Sequence, residues 1–155
     1  MRKLEVLNDK HLKLRNLLVF ELRQCPIDEL DQRINQFIDQ VTMSSVQRYG
    51  PLITCNYGTQ VSEQGQIHID YDVMVQVRNY QIMTGGYRFL EERQYAHCVY
   101  LHFDEHPQYA NYAYSKLELH FFETGLQPKG ELISVILDDQ PERLVLDLFK
   151  PVVTL

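Results

Sequence analysis

The sequence predicts an α+β fold: a duplicated β-α-β-β unit, with two helices packed on one side of a curved antiparallel sheet and a groove along a pseudo-two-fold. Three observations predict it. Residues 14–78 and 87–151 carry the same run of patterns, strand, helix, strand, strand, each over about 65 residues. Each helical stretch opens at a proline, Pro26 or Pro107, and each third pattern follows a glycine, Gly50 or Gly130. One such half leaves a sheet face and a helix stripe uncovered, so two halves are expected to share a sheet and leave a ligand groove at their seam. The 155 residues suit one domain, 1–155, large enough to bury a core without disulfides or metals.

The elements follow in order. Residues 14–24 read as a strand with both faces largely apolar (Leu17, Val19 and Glu21 against Leu18, Phe20 and Leu22). Pro26 suits a first helical turn, with Asp28, Glu29 and Asp31 at the positive end of the helix dipole. Ile27, Leu30, Ile34, Phe37, Ile38 and Val41 then recur at helical spacing over 26–43. Gly50-Pro51 breaks the chain and starts a strand over 51–58. Residues 67–78 alternate, placing Ile67, Ile69, Tyr71, Val73, Val75 and Val77 on a packed face and His68, Asp70, Asp72, Met74 and Gln76 on a wet one. The run Met83-Thr84-Gly85-Gly86 is a turn. Residues 87–103 form one long or bent strand. Pro107 then opens a helix whose stripe is Ala110, Ala113, Leu117 and Phe121, with Tyr114 beside it, and Gly125 stops it. Strands over 131–138 and 143–150 close the second half, and Pro151 ends it.

Composition narrows the functions. Apolar residues make up 45% and charged residues 23%, the balance of a folded protein. The net charge is −6, and the basic residues of the first fifteen positions are mixed with Glu5 and Asp9. No clustered basic surface of a nucleic-acid binder is expected. Cys25, Cys55 and Cys98 are odd in number and form no CxxC, which points to reduced, buried thiols in the cytoplasm. No apolar run approaches the roughly 20 residues that cross a bilayer, and the N-terminus lacks a signal-peptide core.

Several local signatures resemble the gyrase-inhibitor-like domain, which is also the effector-binding domain of AraC-type and MerR-type multidrug regulators. They are Gly50-Pro51, the strand Tyr71-Asp72-Val73-Met74-Val75-Gln76-Val77, and the stretch from Ala96 to Phe103 that leads into Tyr109-Ala110-Asn111-Tyr112-Ala113-Tyr114. The ending Leu144-Val145-Leu146-Asp147-Leu148-Phe149-Lys150-Pro151-Val152 completes the set. The match runs over about 14–152, and the chain is also similar to stand-alone bacterial proteins of that superfamily. The resemblance implies a groove for lipophilic, often cationic or planar compounds, with aromatic walls and a buried glutamate as counter-ion. Ser134 stands where that glutamate is expected, with Glu131 at the strand's start, and Phe149 replaces a tyrosine before the closing Pro-Val. Some stand-alone members are similar to hydrolases of strained cyclopropane-containing toxins that use a glutamate and tryptophan walls, whereas this chain has no tryptophan.

Candidate chemistry follows. Tyr57, Tyr71, Tyr100 and Phe149 lie on expected strands, where their rings serve as groove walls or as core. Glu21 and Asp147 sit mid-strand between apolar neighbours, as ligand counter-ions or catalytic acids do, and an outward-facing edge acid fits the same pattern. With Ser134 these are the expected ligand contacts. The six histidines form no HxH or HExxH pattern, so neither a metal nor a cofactor is expected. His102 with Cys98, or with Cys55, is a conceivable nucleophile pair that nothing in the sequence requires. A stand-alone small-molecule-binding or sequestering domain is the first expectation. A protein-interaction or inhibitor module comes second, and a hydrolase of electrophilic small molecules third. Fold analogy fixes a scaffold and not a site.

Overall fold

In the computed structural model, which describes residues 3–78 and 87–154, the chain alternates strands and helices as β1 (Val6–Pro26), α1 (Leu30–Met43), β2 (Arg48–Val61), β3 (Ile67–Val77), β4 (Tyr87–Glu105), α2 (Ala110–Thr124), β5 (Leu132–Asp139) and β6 (Leu144–Pro151). The expected turn at Met83–Gly86 lies outside the described residues. Single 3-10 turns, Ile27–Glu29 and Pro107–Tyr109, lead into the two helices. The prolines act as anticipated: each precedes or opens the turn, where a missing N–H costs nothing. His106 Nδ1 accepts the Gln108 N–H at 3.1 Å and so caps the second turn. Gly125 ends α2 in the left-handed region (φ 74°), its N–H donating to the Phe121 carbonyl.

Contacts divide the chain into two compact units, residues 14–93 and residues 1–13 with 94–155. The first unit is an antiparallel sheet in the order β1–β3–β2, with α1 on one face. Leu18, Phe20 and Leu22 of β1 join Val73 and Val75 of β3 beneath Phe37 and Val41 of the helix. The second unit is a sheet in the order β4–β6–β5, with α2 on one face. Val99, Leu101 and Phe103 of β4 join Leu146 and Leu148 of β6 beneath Ala113, Leu117 and Phe121, and Leu4 from the N-terminal stretch completes this core. In both units the last strand lies in the middle of the sheet. No helix among the described residues is long and apolar enough to cross a membrane.

Three expectations change. The first strand begins at Val6 instead of residue 14. Gly50-Pro51 does not start β2 but sits inside it as an irregularity between the Tyr49–Gln76 and Ile53–Met74 pairs. There Gly50 takes φ 75° and a Cβ would meet Gln76 Nε2 at 3.1 Å. The wet face expected on β3 is dry in its middle: Asp72 and Met74 are both fully buried. Register gives the reason. Met74 is paired with Val19 and Ile53, and Asp72 with Glu21 and Cys55, so most of that face is apolar and both faces of the strand are covered.

Candidate functional site: two strand acids facing away from the helices

Directly paired residues of neighbouring strands share a sheet face. In the first unit the face away from α1 therefore carries Glu21, Asp72 and Cys55 in one row. In the second unit the face away from α2 carries His102, Asp147 and Val135 in the corresponding row, and Tyr100, Phe149 and Ile133 in the next. Asp72 and Asp147 thus hold the same position, on the central strand of each sheet.

Asp72 is fully buried and saturated with positive charge. Arg93 Nη1 lies 3.2 Å from Oδ2 and Arg23 Nη1 lies 2.9 Å from Oδ1. The Tyr57 hydroxyl donates to Oδ2 at 2.7 Å. Arg23 Nη1 also donates to the carbonyls of Leu22 and Tyr71, so its approach to Oδ1 is an ionic contact without a well-directed hydrogen bond. A bulge between Asn56 and Gly58 makes Tyr57 the extra residue of β2 and turns its phenol onto Asp72. The Arg23 guanidinium sits 5.1 Å from the Tyr57 ring centre. Burial first, and then the hydrogen bond to Asp72, push the Tyr57 hydroxyl far above its ordinary pKa, so it stays a donor. Glu21, cross-strand from Asp72, pairs with Arg23 (3.2 Å) and Arg88 (3.6 Å) and keeps 32% of its side chain exposed.

Asp147 differs. Its side chain is 23% exposed, and no lysine or arginine among the described residues pairs with it. Tyr100 donates to Oδ1 at 2.6 Å, and His102 Nδ1 meets the same oxygen at 2.7 Å. Both contacts fall on Oδ1. The Tyr100 ring lies 5.0 Å from Phe149, tilted by 48°, with Phe149 9% exposed. Burial, followed by the bond to Asp147, raises the Tyr100 hydroxyl pKa as well. An aromatic pair beside an acid that lacks a strong counter-ion is an arrangement that can take a flat cation.

The sequence-based site residues are therefore distributed over three settings. Tyr100, Asp147 and Phe149 come together on one face of the second unit. Tyr57 and Glu21 join the arginine-rich cluster around Asp72. Tyr71 and Ser134 lie on the opposite, helix-covered faces: Tyr71 packs against the core beneath α1, and Ser134 is paired with Leu148 of the core beneath α2. Sequence reasoning missed Asp72, Arg23 and Arg93. A usable signal was present, because Asp72 stands between Tyr71 and Val73 as Glu21 stands between Phe20 and Leu22. The three cysteines form no disulfide and are buried, and burial pushes the Cys98 thiol up to about 11, which disfavours a thiolate nucleophile beside His102. Among the described residues, no group of three or more metal-ligating side chains converges.

No family model matches the sequence, and no curated protein matches it. Solved structures do. EcmrR in its DNA complex superposes with a TM-score of 0.69 at 12% identity, over 98% of this chain and 58% of that one. The chain thus spans little more than half of that protein. The isolated C-terminal domain of EcmrR gives 0.66 at 9% identity, over 99% and 98% of the two chains.

This chain has the fold of the EcmrR C-terminal domain.

A hydrolase from Listeria innocua is similar at a TM-score of 0.58 and 13% identity, covering 98% of this chain and 92% of that one. SAV2435, solved bound to tetraphenylphosphonium, gives 0.50 at 9% identity over 98% and 94%. At these identities the likeness concerns the α+β fold.

Proposed function

We propose that this chain is a small-molecule-binding domain. It takes a lipophilic, aromatic and positively charged ligand on the face carrying Tyr100, Phe149 and Asp147. One observation carries the reading: of two acids at the same position in the two units, Asp72 is neutralised by Arg23 and Arg93, while Asp147 has only Tyr100 and His102. A ligand cation would supply the charge that the protein does not. The likeness to the EcmrR C-terminal domain and to a protein solved with an organic cation supports this reading. The common connectivity of the two units supports an internal duplication.

The test is a thermal-shift titration with tetraphenylphosphonium and planar cationic dyes. A ligand at a hundred times its Kd adds about 2.7 kcal/mol, a rise of roughly 5–10 °C for a chain of this size. Asp147→Asn should remove most of that rise and leave the unliganded melting point near its starting value. No shift with any cation, or an undiminished shift in the variant, defeats the proposal.

A second reading, hydrolysis of an electrophilic small molecule, is favoured by His102. Its Nδ1 is fixed on Asp147, which leaves Nε2 to activate a water. Ligand turnover that His102→Gln abolishes without weakening binding would select it.

A further inference from the structure

A second cavity lies on the other side of the second unit's sheet. It measures about 450 Å³. Its floor is aliphatic: Val99, fully buried, with Leu126, Val152 and Val153. No phenylalanine, tyrosine or tryptophan lines it, in contrast to the face around Asp147. Its wall is fixed by backbone bonds, Val152 N–H to the His97 carbonyl at 3.1 Å and Val153 N–H to the Gln127 carbonyl at 2.8 Å, together with a β-bridge between Pro128 and Val152. Such a cavity needs no reorganisation to receive a ligand.

The mouth carries the polar groups. Asp9 Oδ1 lies 2.6 Å from His97 Nδ1, and the Asp9 side chain is 75% exposed. Both residues hold left-handed backbone within strands, φ 57° for Asp9 and φ 54° for His97. Residues bearing a Cβ adopt that conformation rarely, and two of them meeting at one cavity mouth is a concentration of strain typical of ligand sites. Two neighbouring polar side chains are already engaged: Asn8 Oδ1 meets His120 Nε2 at 2.7 Å, and the Thr124 hydroxyl donates to the His120 carbonyl. Asp9 is thus the charged group at the mouth, with an imidazole as its partner instead of a guanidinium or an ammonium.

We propose that this cleft, with Val99, Leu126, Val152 and Val153 as its floor and Asp9 and His97 at its mouth, binds a small aliphatic amine. The alkyl chain lies on the valine–leucine floor and the ammonium sits on Asp9. The absence of phenylalanine, tyrosine and tryptophan from the lining favours an alkyl chain over an aromatic ring system, which separates this ligand from the one proposed for Asp147.

The experiment is a methyl-detected NMR titration of the whole chain with butylammonium, hexylammonium and 1-hexanol. Saturable shifts are expected at Val99, Leu126 and Val152. Each added methylene gains about fourfold in affinity, so hexylammonium should bind roughly 15-fold tighter than butylammonium. It should also bind tighter than hexanol. Asp9→Asn keeps a residue that tolerates left-handed backbone. It should reduce hexylammonium to the affinity of hexanol and leave hexanol unchanged. Val153→Arg, at a wall residue 39% exposed, should exclude both, and Asp147→Asn should change neither. The proposal is overturned if the methyl groups of these three residues show no saturable response. It is equally overturned if the amine binds Asp9→Asn unchanged, or if Asp147→Asn abolishes amine binding, which moves the ligand to the other face.

Discussion

Asp72 and Asp147 hold one position in two sheets of the same connectivity, and their surroundings differ. In the first unit the row around the acid holds Glu21 and Cys55, with three arginines and a bulged tyrosine drawn to it. In the second unit the row holds His102 and Val135, with an aromatic pair alongside and no guanidinium. A buried carboxylate needs counter-charge from within the molecule, because desolvating an unpaired ion costs more than the fold can recover. A partly exposed one with neutral hydrogen-bond partners needs less, and it retains attraction for a visiting cation. Position in a fold therefore does not set the chemistry of an acid; the cations within its reach do.

That contrast can be broken by experiment. The largest effect should come from Arg93→Met, which strips one counter-ion from a fully buried carboxylate. We expect a loss on the order of 3 kcal/mol in urea unfolding, against less than about 1 kcal/mol for His102→Ala, itself well exposed beside partly exposed Asp147. Equal losses would end the distinction. Next, Tyr57→Phe should cost about 2 kcal/mol and Tyr100→Phe about 1 kcal/mol, since both hydroxyls donate to a carboxylate but only one acceptor is wholly desolvated. The reverse order would place the more dependent acid in the second unit.

Smaller effects concern pH. The raised pKa values of Tyr57 and Tyr100 mean that the folded state holds their protons more tightly than the unfolded chain. Their contribution is complete below the ordinary tyrosine pKa of about 10 and is lost as pH rises beyond it. Phenolate absorbance should show both silent until the protein unfolds; titration of either in the native state would contradict its burial. The smallest effect belongs to Asp70. The Gln24 N–H donates to its Oδ1 at 2.8 Å and, with the Gln60 amide, holds the carboxyl below the usual range. Its contribution is present above the ordinary aspartate pKa of about 4 and fades as pH falls through the lowered value. Asp70→Asn should flatten that part of the acid-unfolding curve.

Much of the fold was legible in the sequence because local rules decide it. Pro26, Pro107 and Gly125 mark helix ends through backbone chemistry alone, and the stripe Ala113, Leu117 and Phe121 is buried as its spacing implies. The site was less legible. Alternation along β3 set Asp72 beside His68 and Asp70 as wet, and nothing within that strand reveals that Val19, Ile53 and Met74 continue its face as core. Its cations, Arg23 and Arg93, come from other strands. Tyr71 and Ser134 were assigned without knowledge of register, which decides the face a side chain occupies. The meeting of Tyr100 and Phe149 likewise depends on which residue of β4 lies opposite which of β6.

The extra residue in β1 has a consequence for how this segment tolerates change. Leu22 pairs with Tyr71 and Cys25 with Ile69, so three steps along one strand match two along the other. Gln24, at φ 50°, absorbs the difference, and both Leu22 and Cys25 face the helix-side core. Deleting a single amino acid there would roll one flank of the strand over, exchanging Leu18 and Phe20 with Val19 and Glu21, or carrying Cys25 out of the core. Glycine or asparagine in place of Gln24 should be forgiven, since both accept left-handed backbone, while shortening the chain by one at that point should not.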